Sequence, residues 1–322
     1  MIENFLRPRG DVPHAVGTGT HANSGRGLAA AGGGRRYKEH MEALSGEALP
    51  ECLRVIPDPP RRLYVRGATE ALAAPSVAIV GSRRASRAGR QFAETLAGDL
   101  AAAGLVVVSG LAYGIDAAAH RGALAGGGRT VAVLGSGLDR VYPRQHTVLA
   151  AEITDGGGAV VSEYAADRSP RKHQFPERNR LISGLSLGVV IVEATTKSGS
   201  LITARMAAEQ GREVMAVPGP VASPLSGGCH RLLKSGAALI ETADDVLYAV
   251  GYDTAERTRK EGERAPDRLA AVLEQVGAET TTLDQVVGAT GMALEAAAEA
   301  LVELELLGFV AAHRGGYIRR PS

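Results

Sequence analysis

Six Val/Ile-rich runs, "SVAIVGS", "LVVVSG", "TVAVLGSG", "AVVSEY", "LGVVIVEA" and "EVMAVPG", follow one another between residues 76 and 219, separated by Ala-rich helical stretches or loops. This alternation admits few folds. Strands covered on both faces read as continuous apolar runs, and parallel neighbours need a crossover, usually a helix, between them. The chain is therefore expected to be α/β, with an extended Rossmann-like, doubly wound and mostly parallel sheet over 75–252. Upstream, 41–74 reads as a short remnant of a helical region followed by an edge strand at Leu63, Tyr64 and Val65. Residues 1–40, with "GTGTHANSGRGLAAAGGGRR", hold too few large apolar side chains to offset the entropy of ordering them and read as a disordered extension.

"DTAERTRKEGERAP" carries charge and no core positions, so 253–265 reads as a linker. Beyond it, 266–320 holds three short helical patterns, with Thr281 or Thr282 as N-cap and Gly291 as the stop of the middle one. The two strands of "FVAAHRGGYIRR" then complete a winged-helix domain. Its third helix, "ALEAAAEALVELELL", has glutamates and neither Lys nor Arg, which disfavours a duplex phosphate backbone and favours a protein contact or regulation.

Composition excludes several classes. At 322 residues and 45% apolar content the chain can bury one large core and a second small one. A formal net charge of +1 gives no global pull toward polyanions, so any nucleic-acid argument rests on local patches. Cys52 and Cys229 lack zinc-ligand spacing and fit a reducing compartment; together with the absence of an apolar stretch of membrane-spanning length, this points to the cytoplasm. No cofactor or metal is expected.

Ligands of open parallel sheets lie beyond the carboxyl ends of the strands. After the first of the six runs come Gly81, Ser82 and Arg83, where further glycines of a dinucleotide fingerprint would stand. After "GVVIVEA" come Lys197, Ser198, Gly199 and Ser200, just before a helix, a second place for a phosphate. "DRSPRKHQFPERNRLISGLS" sets Arg168, Arg171, Lys172, Arg178 and Arg180 around Phe175. An aromatic face within a basic track suits a single nucleic-acid strand, although packing of Phe175 on Pro176 is the competing reading. Arg84, Arg87 and Arg90 recur at helical spacing and fit either a phosphate track or a solvated helix face.

Taken in order, "GSRRAS", "SGLAYGIDAAAH", "TVAVLGSGLDRVYP", "SEYA", "FPERNRLISGLS", "VVIVEATTKSGSLITARMAAEQGREVMAVPG" and "GCHRLLKSGA" resemble the DNA processing protein A (DprA/Smf) family over roughly residues 50 to 250. The resemblance implies a homodimer that binds single-stranded DNA without consuming a nucleotide, protects DNA entering during natural transformation and helps load the RecA recombinase. The loops beyond the strand ends and the basic track give the expected DNA contacts as Gly81, Ser82, Arg83, Lys172, Phe175, Arg178, Asn179, Arg180, Lys197, Ser198, Gly199 and Ser200. Gly81 is read as allowing close approach of the strand. Leu233 and Leu239, aliphatics that no later element obviously covers, mark the dimer face. Two departures stand out: the amino-terminal helical domain is shortened, and His146 occupies a place where Asn is frequent.

The runner-up is an enzyme related to nucleoside-monophosphate phosphoribohydrolases, but "SGSLITA" lacks the acidic residue that such a site places near its glycine-threonine turn. "GLSLG" matches G-x-S-x-G only formally, because its strand follows Ser186 instead of preceding it. Asp116, His120 and Glu163 are an acid/base set on paper; a helix cap is the expected role of Asp116, and His173 and His230 are expected to be solvated or structural.

Overall fold

The computed structural model describes residues 41–252, 266–277, 280–307, 309–313 and 315–319. The expected extension (1–40) and linker (253–265) lie outside the described residues. Strands β1 (Glu42–Leu44), β2 (Leu63–Gly67), β3 (Ser76–Val80), β4 (Val106–Ser109), β5 (Thr130–Val133), β6 (Ala159–Ser162), β7 (Gly188–Ile191), β8 (Glu213–Ala216) and β9 (Ala238–Leu239) form one nine-stranded sheet ordered β1-β2-β6-β5-β4-β3-β7-β8-β9. All pairings from β6 to β9 are parallel, and β1 and β2 add antiparallel strands at one end. Each of the six apolar runs is a strand, as the sequence predicts.

The Leu63–Val65 strand, expected at an edge, is not one: β2 pairs with β6 on one side and β1 on the other. Segment 41–74 thus contributes two strands to the sheet. The sequence carries little signal for this, because β1 has only three residues and two of them are exposed.

Helices α1 (Glu51–Arg54), α2 (Arg87–Ala102), α3 (Ile115–Ala125), α4 (Thr147–Asp155), α5 (Gln174–Leu185), α6 (Ser200–Glu209), α7 (Gly227–Lys234) and α8 (Ala243–Ala249) cover the sheet. Successive residues of one strand point to opposite faces. Ala78 and Val80 accordingly pack with Leu181 and Ile182 of α5, whereas Val77 and Ile79 pack with Leu96 and Leu100 of α2. A third cluster joins Ala132 and Val160 to Leu149 and Ile153 of α4. Two buried layers cover the faces of the central strands and leave their ends open to a ligand.

The second unit comprises α9 (Asp267–Gln275), α10 (Leu283–Thr290), α11 (Leu294–Leu306) and the hairpin β10 (Val310–His313) and β11 (Gly316–Arg319), a winged helix around Leu269, Val272, Val286, Leu301, Leu304 and Val310. Thr282 caps α10: its hydroxyl accepts from the Gln285 amide while Gln285 accepts from the Thr282 amide, and left-handed Gly291 ends the helix. Thr281 does something else, bridging to Tyr317 as a third strand position of the wing. On α11, Glu295, Glu299, Val302 and Leu306 are all exposed, and Glu303 pairs with Arg268.

No helix among the described residues is long and apolar enough to cross a membrane.

Candidate nucleic-acid interface

The strand order reverses direction between β3 and β7, the adjacent parallel strands from which the chain winds outward both ways. A cleft of about 870 Å³ opens beyond their carboxyl ends, at the topological switch point. Its walls bring together distant parts of the chain: Gly81, Ser82, Arg83 and Arg84 after β3, Thr195 and Ser198–Ser200 after β7, and Lys172, Phe175, Arg178 and Asn179 from the start of α5 and the loop before it. Ten of the twelve nucleic-acid positions expected from sequence meet there, with Lys197 and Arg180 as the exceptions.

The first wall answers what an arginine-rich turn is for. In a dinucleotide-binding sheet the pyrophosphate rests on the N-terminus of the helix after the first strand. Here that helix is α2, and its N-terminus already holds a carboxylate. Glu193, just past β7, accepts from the Ser86 amide at 2.8 Å and the Ser86 hydroxyl at 2.6 Å, while Ser86 caps α2 by accepting from Gly89. A Cβ at Gly89 would lie 2.4 Å from the Glu193 carboxyl carbon, so the glycine is there to seat this carboxylate. Arg83 and Arg84 are left exposed at the cleft, whereas Arg87 and Arg90 ride the outer surface of α2. The run thus divides at the helix start.

Gly81 lines the cleft, and a Cβ there would stand 2.7 Å from Ile115 Cγ1 and 3.0 Å from the Glu193 carbonyl, so the packing of α3 also requires a glycine at this position. Ser82 is nearly buried, and its hydroxyl accepts from the Arg84 amide, setting the turn that projects Arg83.

Phe175 lies on the first turn of α5 and not in a loop, half-buried against Gly135, where an added Cβ would reach its ring at 2.9 Å. Arg83 sits over its ring, 5.5 Å from the centroid, and Tyr142 packs beside it at 5.5 Å and 56°. Tyr142 is 45% exposed and, like Glu193, is a site residue that sequence reasoning missed. The available signal is an aromatic in "GLDRVYP" following the end of β5, which by itself assigns no role.

Arg178 faces inward. It is buried, and one guanidinium nitrogen donates to the carbonyls of Gly110 at 2.8 Å and of Val133, the ends of β4 and β5; its Nε donates to Asn179 at 3.1 Å. Burial pulls its pKa down to about 10, partly offset by Asp116, so it stays charged at neutral pH. Asp116 accepts from the amides of Gly110 and Ala112, and burial pushes its carboxyl above the usual range despite Arg178 and Arg83. Asp116 therefore ties down the loop before α3 instead of capping its own helix. Arg180 is held by Asp58 at 2.7 Å and Glu163 at 2.6 Å, away from the cleft lining. Lys197 lines a neighbouring groove.

The would-be catalytic residues are each engaged elsewhere. Glu163 pairs with Arg180, while fully buried His120 donates from Nδ1 to the Thr130 hydroxyl, which itself donates to Val107. Burial takes the His120 pKa down to about 3. Ser186 closes α5 and donates to the Ile182 carbonyl ahead of β7, the reverse of a nucleophile elbow. Among the described residues no cluster of His, Cys, Asp or Glu is suited to a metal.

Residues 41–251 match the model of the family described as DNA recombination-mediator protein A. The chain belongs to the DNA processing protein A (DprA/Smf) family. A second match, to the DprA winged helix domain, covers residues 255–316. Among DprA/Smf relatives, Protein Smf of Escherichia coli is 42% identical over 292 residues, spanning 87% of this chain and 77% of that one. DNA processing protein DprA of Streptococcus pneumoniae is 44% identical over 214 residues, spanning 65% and 75%. The X-ray structure of the Streptococcus pneumoniae DprA superimposes with a TM-score of 0.62 at 42% identity, covering 66% of this chain and 75% of that one. A DNA processing protein A from Helicobacter pylori, described for its single-stranded DNA binding mode, superimposes with a TM-score of 0.59 at 35% identity, covering 65% and 94%. The Streptococcus pneumoniae relative is named for DNA processing, and the Helicobacter pylori structure is described for its single-stranded DNA binding mode.

Proposed function

We propose that the cleft holds a single DNA strand, that the chain protects DNA taken up in natural transformation, and that it hands this DNA to the RecA recombinase in the cytoplasm. The observation that carries the reading is the meeting of Arg83, Lys172 and the Phe175–Tyr142 pair at one switch-point cleft whose dinucleotide position is filled by Glu193. Arg83 and Lys172 neutralise phosphates, the N-terminus of α6 with Ser198 and Ser200 presents an anion-favouring end, and the two aromatic rings accept bases. Contacts of this kind go to backbone and base faces, so sequence preference is low. Arg178 acts one step removed, by fixing the strand ends and α5 beneath Phe175.

The test is a salt-titrated binding series on single-stranded and duplex oligonucleotides with the parent and Phe175→Leu. The parent binds the single strand more tightly. Phe175→Leu loses about 1–3 kcal/mol of single-strand affinity with an unchanged salt slope, because stacking is removed and charge is not. A lowered melting temperature with parental affinity would instead make Phe175 a packing residue.

The working form in this reading is a homodimer through the β9 end of the sheet. Leu239 on edge strand β9 is 50% exposed, while Leu233 is half-buried against the main core, so Leu239 is the stronger contributor. A dimer presents two clefts to one long strand and raises affinity through effective concentration. Sedimentation of the Leu233→Glu, Leu239→Glu variant is expected to give a folded monomer that binds long strands more weakly; a folded dimer rules out this face.

A further inference from the structure

We propose that the bound strand continues beyond the main cleft, crossing the first turn of α6 at Gly199 into a second groove where Arg205 and Arg231 take its next phosphates. The inference rests on reading the main cleft as the single-strand site. The second groove measures about 590 Å³ and lies between α6 and α7, over β8. Ser198, Gly199 and Ile202 line both cavities, which makes this turn their common wall.

Gly199 has no internal reason to be glycine. Its backbone, at φ −64° and ψ −22°, is right-handed helical and open to any residue, and a Cβ built there meets no atom within 4 Å. Gly81, by contrast, is required by Ile115. A missing side chain that neither conformation nor packing explains keeps the crest of the wall low, as a sugar-phosphate backbone passing over it requires.

The chemistry beyond the crest matches. Leu201, Val214 and Leu232 give the groove an apolar floor, and exposed Lys197, Arg205 and Arg231 surround it. Glu213 is the carboxylate of the lining, and Glu209 lies 3.5 Å from Arg205 in an exposed pair weak enough to yield to phosphate. Cations around an apolar floor, continuous with a single-strand site, fit further nucleotides with bases laid inward. The groove also neighbours Leu233, so a second copy of the chain is the competing occupant that the test must separate.

The experiment compares the full-length parent with an Arg205→Ala, Arg231→Ala variant on oligothymidylates of increasing length, by fluorescence anisotropy across a salt series, with sedimentation alongside. On the shortest oligothymidylate that the parent binds, the variant is expected to match it. On a long one its salt slope falls by about 1.4, about 0.7 for each phosphate no longer neutralised. Equal losses at both lengths, or none at either, overturn the extension. A shift to monomer with the slope preserved assigns the arginines to a subunit contact and overturns it too. If the parent binds no oligothymidylate, the main-cleft reading itself falls and takes this extension with it.

Discussion

Replacing Arg83 and Lys172 together by alanine is expected to weaken single-strand binding by about 3 kcal/mol, roughly a hundredfold in Kd, at about 1.5 kcal/mol for each charge-assisted hydrogen bond. The plot of log affinity against log salt should flatten by about 0.7 for each phosphate left without its cation. Both side chains are exposed on cleft walls, so the melting temperature should hold. Removing Arg83 also uncovers the Phe175 ring, which the guanidinium overlies at 5.5 Å. A base entering the site must displace or join that cation, so the single Arg83→Ala change should cost less than the charge count alone suggests. Parental affinity and salt slope in a folded double variant would place the strand elsewhere on the surface.

Arg178→Leu is expected to cost about 3–5 kcal/mol of stability, the usual penalty for removing one partner of a buried charged pair. The Gly110 and Val133 carbonyls lose their donor and Asp116 loses its main opposing charge. The destabilisation depends on pH. Burial already raises the Asp116 carboxyl in the folded state, and without Arg178 it rises further; a raised folded pKa gives stability that is present below the unfolded value near 3.8 and lost as pH rises through the folded one. The gap between variant and parent should therefore narrow on acidification. Denaturant melts at neutral pH and near pH 5 read this directly, and a variant within about 0.5 kcal/mol of the parent would show that the arginine is dispensable to the fold. Arg178→Lys keeps the charge but not the planar fork, and should fall between the two.

How much of this was legible in the sequence depends on where the decisive interaction lies. The six central strands were legible because their continuous Val/Ile runs have one physical meaning, burial on both faces. The role of 41–74 was not, since a three-residue strand joins the sheet by backbone pairing that leaves no side-chain pattern. Charge was legible but its direction was not: Lys172, Arg178 and Arg180 stand within nine residues on one motif, yet the turn before α5 sends Lys172 to the cleft while the helix sends Arg178 under the sheet ends and Arg180 to Asp58 and Glu163. Glycines divide the same way, Gly81 serving a neighbouring helix and Gly199 nothing within the chain. Tyr142 and Glu193 went unread because each acts on a partner more than thirty residues away.

A sheet that reverses at its middle offers two sockets for negative charge, one on the helix after each of the two central strands. In this chain the first is plugged from inside by Glu193. The plug is a residue of the chain itself and brings its own charge, so this helix start is filled without a diffusing anion. In the proposed reading the first socket is thereby closed to a free nucleotide, and the second is left to a polymer threaded past it.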